Sequence, residues 1–196
     1  LSTRPADAEP ASPIVKWAGG KTRLLAQLLP LLPKGATRMR HVEPFVGGGA
    51  MFFARRPERA LLADANPVLV ATYEAVRDRV ADVITELHKL ARAHGPDAYY
   101  RVRDRFNRSR AHGPERAAMF IYLNKTCFNG LYRVNRSGAF NVPAGRYAKP
   151  RIVDPGTLLA ASHVLRSADI RCAGFETLLR TAKPGDFVYL DPPYEP

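Results

Sequence analysis

"MRHVEPFVGGGAMFFARRPERALLADANP", residues 39–67, decides the fold. Residues 40–45 read as a short strand, and Gly47, Gly48 and Gly49 then turn the chain into a helix that begins with Ala50, Met51, Phe52 and Phe53. Residues 59–64, "RALLAD", form a second strand that ends on an acid, and Asn66-Pro67 opens another helix. Strand, glycine turn, helix, strand and helix in this order begin a βαβ arrangement. That predicts an α/β domain with a parallel sheet covered by helices.

The pattern continues on both sides. Upstream, "KTRLLAQLLPLLP" predicts a helix that opens near Lys21 and is broken by Pro30 and Pro33. Residues 1–13, rich in proline and alanine, read as a disordered leader without the apolar stretch of a signal peptide. Downstream, residues 66–95 read as one long helix or two abutting ones, stopped by Gly95 and Pro96. Helices over 96–110 and 114–126 follow, then a hairpin over 130–142 closed by Gly138. A helix over 154–168, a strand over 170–175, a helix over 176–185 and a strand over 186–190 complete the reading. The sheet domain is therefore expected at 14–95 and 151–196, with an insert at 96–150.

The 196 residues carry a net charge of +12, and 46% of them are hydrophobic, which suits a folded chain. Residues 97–151 hold 12 Lys and Arg against 3 acids, Asp97, Asp104 and Glu115, which is +9 of the total. Such a block suits a phosphate footprint, although a solvated helical face has the same composition. Two widely spaced cysteines, Cys127 and Cys172, carry no metal-ligand pattern and point to a reduced, cytoplasmic setting. No apolar stretch approaches the ~20 residues of a membrane span.

Two places carry chemistry. The glycine turn lets backbone approach a ligand at a helix start, and Asp64 ends the second strand 15 residues beyond Gly49. An acid there can accept both hydroxyls of a ribose. No Gly-Lys-Ser/Thr follows the glycines, so a nucleoside without phosphates fits as well as a dinucleotide. The second place is "DPPY", residues 191–194. Asp191 ends a strand at the edge where open α/β sheets bind ligands. Pro192 and Pro193 lack amide donors, and Tyr194 offers a flat face. A site of acceptors beside an aromatic plate suits a planar donor such as the exocyclic amine of a nucleobase.

These motifs together resemble the Dam-type (D12 class) adenine-N6 DNA methyltransferases. The resemblance rests on "KWAGGK" at 16–21, "EPFVGGGAMFF" at 43–53, "ADANP" at 63–67, "NKTCFNGLYRVNRSGAFNVPAGRY" at 124–147 and "DPPY" at 191–194. It implies a class I methyltransferase (Rossmann-like) sheet in the order 3-2-1-4, S-adenosyl-L-methionine as cofactor and double-stranded DNA as partner. It implies no metal and no membrane, and places the protein in the cytoplasm on the nucleoid. Cofactor contacts are implied for Trp17, Lys21, Phe45, Gly47, Asp64, Phe175 and Asp191, with Lys21 near the methionine end. Asp191, Pro192 and Tyr194 are implied as catalytic. The insert is implied as the target-recognition domain. Phe128 and Asn129 would enter the duplex, and Leu131 and Arg133 would read base edges, Arg133 at a guanine. Lys16 and Pro143 are further DNA candidates, and GATC is the expected target. Where the family usually shows Tyr, this chain has Phe128, which keeps stacking and loses a hydroxyl contact. The family pattern runs on past residue 194, so the sequence is expected to be a piece of a longer enzyme, or one completed by another chain. An RNA methyltransferase with the same corner, or a DNA-binding fragment without turnover, would share several of these features.

Overall fold

The computed structural model describes residues 10–109 and 112–192. Four strands, β1 (His41–Glu43), β2 (Ala60–Asp64), β3 (Ala168–Cys172) and β4 (Phe187–Val188), form one sheet in the order β3-β2-β1-β4. All three pairings are parallel, with Val42 opposite both Leu61 and Val188. The order matches the expected 3-2-1-4. Parallel pairing sends the carboxyl ends of all four strands to one edge, where the first crossover turns into its helix.

Seven helices surround the sheet among the described residues: α1 (Leu25–Leu28), α2 (Ala50–Arg55), α3 (Pro67–Arg92), α4 (Pro96–Arg108), α5 (Pro114–Thr126), α6 (Pro155–Leu165) and α7 (Phe175–Leu179). None is long and apolar enough to cross a membrane. Asn66 starts α3 by accepting from the amides of Val68 at 3.0 Å and Leu69 at 3.3 Å. The helix buries Leu69, Val70, Tyr73, Val76, Val83 and Leu87 at helical spacing. Of the two expectations, one long helix or two abutting ones, α3 takes the second: two helical stretches meet at a kink at Arg79, where φ is −141°. Its inner face packs on α5 and α6. α5 is buried almost throughout, from Ala117 to Asn124, because α3 and α4 cover it on two sides.

The two faces of the sheet divide by residue parity, as the pleat requires. Val42, Leu61 and Ala63 face α7 and pack with Leu178. Ala60 and Leu62 face the main core, with Phe52, Phe53 and Tyr73. The same cluster takes in Phe106, Phe120, Tyr122, Phe140 and Val142, so the segment 96–150 is joined to the sheet by continuous apolar packing.

Several boundaries differ from the sequence reading. β1 stops at Glu43 because Pro44 has no amide to give, and the Val46 amide donates to Ala63 at 2.9 Å instead. β3 begins at Ala168 rather than residue 170, since the preceding helix closes with the Ser167 amide on Val164. Phe175 is therefore the first residue of α7 and not part of a strand. β4 is confined to two residues. The hairpin is a single antiparallel bridge, Val134 to Phe140. Asn135 closes it by accepting from the amides of Ser137 and Ala139 at 3.0 and 2.9 Å. The stretch expected as a helix near Lys21 is a chain of short turns, with 3-10 segments on both sides of α1.

Beneath β1 lies a buried polar chain. Arg55 donates to Nδ1 of His41 at 2.7 Å, and Nε2 of His41 meets Glu43 at 2.7 Å. Because a guanidinium can only donate, Nδ1 of His41 accepts and its proton sits on Nε2. Burial first, then the Arg55 charge, pushes the His41 pKa down to about 3 from its ordinary 6.5.

Two outcomes follow. Asn66→Ala removes the cap of α3 and lowers stability by about 1 kcal/mol in denaturant unfolding. For His41, the unfolded chain binds the proton more readily than the fold does. Its contribution is complete above pH 6.5 and is lost as the pH falls toward about 3. The stability difference between the parent and His41→Gln, followed against pH, shrinks through that window. A difference flat in pH contradicts the assignment.

Candidate active site and recognition hairpin

A cleft of about 1290 Å³ opens at the carboxyl edge of the sheet. Trp17, Lys21, Phe45, Gly47, Asp64, Asp191 and Pro192 all line it, together with Lys16. The fold thus gathers residues from positions 16 to 192 into one cavity. Ligand pockets commonly span about 300–1,000 Å³, so this one has room for a nucleoside and a second planar group.

The glycine turn forms its floor. Gly47 and Gly49 have φ of 45° and 69°, in the left-handed region. A Cβ on Gly47 would lie 2.6 Å from the Trp17 ring, so the turn needs glycine for space as well as conformation. The Tyr73 hydroxyl, fully buried on α3, donates to the Gly47 carbonyl at 2.6 Å and holds the turn from below. Asp64 holds it from the side, accepting from the Gly47 amide at 3.1 Å and the Asn66 amide at 2.9 Å. A carboxylate offers about four acceptor positions, so two remain for a ligand's hydroxyls. Burial raises the Asp64 pKa, and the two amides oppose the shift.

At the opposite wall, Lys21 donates to both oxygens of Asp191, at 2.5 and 2.7 Å, and to the Gly19 carbonyl at 2.9 Å. The pair is largely shielded, with 15% and 23% of the two side chains exposed. It joins the amino-terminal turn to the chain just beyond β4, which the amides of Phe187 and Tyr189 fasten to β1 through Arg40 and Val42, both at 2.9 Å. Asp186 anchors the other end of the strand through Arg40.

Phe175 is not among the residues lining the cleft, but it stacks on Phe45, which is, with centroids 5.4 Å apart. Tyr194 lies outside the described residues. Sequence reasoning passed over Glu43 as a site residue. It lines the cleft while only 2% exposed, and burial together with the Asp191 charge raises its pKa well above the ordinary value. Its position at the carboxyl end of β1 was the available signal. Lys125 also lines the cleft, and burial lowers its pKa.

The recognition candidates stand beside this cavity. Phe128 is 50% exposed and Leu131 is 37% exposed, while Asn129 takes a left-handed φ of 54°. Packing in the insert's own core would bury Phe128 and Leu131; both project instead. Pro143 is exposed and its carbonyl accepts from the Phe128 amide at 2.9 Å, which ties the two ends of the hairpin together at its foot. Arg133 is braced by the Asn141 side chain at 2.8 Å. Lys16 lies against the Tyr147 ring, 4.6 Å from its centroid.

Residues 17–196 match the family described as "D12 class N6 adenine-specific DNA methyltransferase". The chain is 41% identical to a type II methyltransferase, M.MjaIII, of Methanocaldococcus jannaschii, over 94% of this chain and 69% of that protein. It is 40% identical to a type II methyltransferase, M1.LlaDCHI, of Lactococcus lactis, over 94% of this chain and 66% of that protein. It is 37% identical to the DNA adenine methylase of Escherichia coli K12, over 93% of this chain and 64% of that protein. The chain thus spans about two thirds of the length of these relatives. With a family match over nearly its whole length, this chain belongs to the D12 class of N6 adenine-specific DNA methyltransferases.

Proposed function

We propose that this chain transfers a methyl group from S-adenosyl-L-methionine to N6 of an adenine everted from duplex DNA, within GATC. The observation that carries the reading is the convergence of Asp64, the glycine turn and Asp191 on one cleft large enough for two ligands. The residues fit the cofactor. Asp64 keeps acceptor capacity for ribose hydroxyls, Phe45 and Phe175 form an aromatic edge for an adenine ring, and Lys21 is a cation for a carboxylate. When bound, the cofactor supplies an electrophilic methyl on a sulfonium.

The chain's own residues do the rest. Asp191 and the Pro192 carbonyl accept the two N–H bonds of the target amine and aim its lone pair across the cleft, with Tyr194 stacking on the base. This is positioning and electrostatics without a covalent enzyme intermediate. Glycine-turn backbone and Trp17 wall off the cofactor side. The segment 96–150 serves as the target-recognition domain beside the catalytic parts at 14–95 and 151–196. Its positive charge neutralises phosphates, Phe128 and Asn129 fill the space that the everted base leaves, and Leu131 and Arg133 read base edges. Lys16 and Pro143 line the approach of the duplex. The setting is the cytoplasm, on nucleoid DNA.

Plasmid treated with the chain and S-adenosyl-L-methionine becomes resistant to a nuclease blocked by methylated GATC and sensitive to one that requires it. Equal transfer to structured RNA, or cofactor binding without turnover, contradicts the proposal. Asp191→Ala lowers the transfer rate by at least about 10²-fold while nonspecific DNA binding persists. Arg133→Ala costs about 1–3 kcal/mol of discrimination at the guanine it faces, read from methylation rates on singly substituted duplexes.

A further inference from the structure

The residues flanking Tyr132 are the base readers, yet Tyr132 itself points inward. Its ring stacks on Trp17, with centroids 5.8 Å apart and planes within 19°. Trp17 in turn lies on Gly47, so closely that a single added Cβ would meet its ring at 2.6 Å. A continuous contact therefore runs from the recognition hairpin through two aromatic rings to the glycine turn. That turn carries the Gly47–Asp64 hydrogen bond.

A second contact runs in parallel. The Asn124 side chain, 1% exposed on α5, accepts from the Lys16 amide at 2.7 Å and donates to the Lys16 carbonyl at 2.8 Å. It also donates to the Gly130 carbonyl at 3.0 Å, at the foot of the hairpin. Gly130 has no room for a side chain, since a Cβ there would stand 2.4 Å from Lys16. Residues 16 and 17 are thus a strap clamped between the cofactor cleft on one side and the hairpin on the other. Tyr132 is held from behind by Phe120 at 5.7 Å and Phe140 at 5.9 Å, so a displacement of either partner cannot be absorbed by the ring alone.

We infer that Tyr132 is a positioning residue that couples the two sites, so that filling the cofactor cleft sets the hairpin for its target and target DNA tightens the cofactor cleft. This rests on the function proposed above. Coupling of this kind is reciprocal in free energy, so it can be read from either ligand.

The test is calorimetric and does not use turnover. S-adenosylhomocysteine is titrated into the chain alone and into the chain saturated with a GATC duplex. For the parent, the duplex tightens nucleoside binding by a factor in the range of about 5–150. Tyr132→Leu keeps an apolar side chain against Phe120 and Phe140 but removes the stack, and its ratio falls to within about twofold of one. Tyr132→Phe keeps the stack and retains the parent ratio. Should the leucine variant fail to fold, Trp17→Leu opens the same stack from its other ring. A parent ratio of one, an unchanged ratio in the stack-breaking variant, or equal losses in the phenylalanine and leucine variants overturns the inference. A parent that binds no nucleoside at all overturns the proposed function itself, a result distinct from binding without coupling.

Discussion

Three carboxylates at one edge of a parallel sheet are the constraint around which this molecule is arranged. Parallel strands all end on the same side, so Glu43 after β1, Asp64 after β2 and Asp191 beyond β4 share one cleft. Glu43 and Asp64 lose hydration there, and the Asp191 charge adds repulsion at Glu43, which costs free energy unless a partner compensates. The fold supplies a different partner to each. Asp64 receives two backbone amides, Asp191 receives a lysine from the far end of the chain, and Glu43 receives a neutral imidazole held in its tautomer by Arg55.

These partners explain otherwise unrelated features. The left-handed Gly47 lets its amide reach Asp64 and the Trp17 indole approach the turn, where a Cβ would meet the ring at 2.6 Å. The amino-terminal segment crosses the cleft because Asp191 needs a cation, and the Lys21 contact spans most of the sequence. The result is a cleft whose three acids stand among the bases Lys16, Lys21, Arg23 and Lys125. The acids favour amines and hydroxyls, while the +9 segment beside them favours phosphates. A polyanion carrying an amine-bearing base meets both conditions.

The reading of the sequence succeeded where chemistry is local. Glycines at a strand end, an acid ending the next strand, and Asn-Pro at a helix start each have a mechanism confined to a few residues. The parallel sheet, Asp64 and the cleft membership of Trp17, Lys21 and Asp191 were legible on those terms or through motif resemblance. It slipped where neighbours decide. Phe175 continued an apolar run and looked like strand, but the register of β3 against β2 spends the strand by Cys172 and leaves Phe175 to start α7 against Phe45. The stretch near Lys21 has helical composition, yet its prolines and its reach toward Asp191 keep it in short turns.

What the sequence determined alone was the kind of fold, the sheet edge at which the cleft opens and the acceptor character of the corner, because backbone conformation and side-chain donors are properties of single residues. What only the tertiary structure decided was pairing across distance: Lys21 on Asp191, His41 on Glu43, and Trp17 wedged between Gly47 and Tyr132. Such contacts arise from how helices settle on a sheet. A tyrosine between two exposed neighbours gives no sign in the sequence that its ring faces inward, since that depends on the packed surface waiting for it.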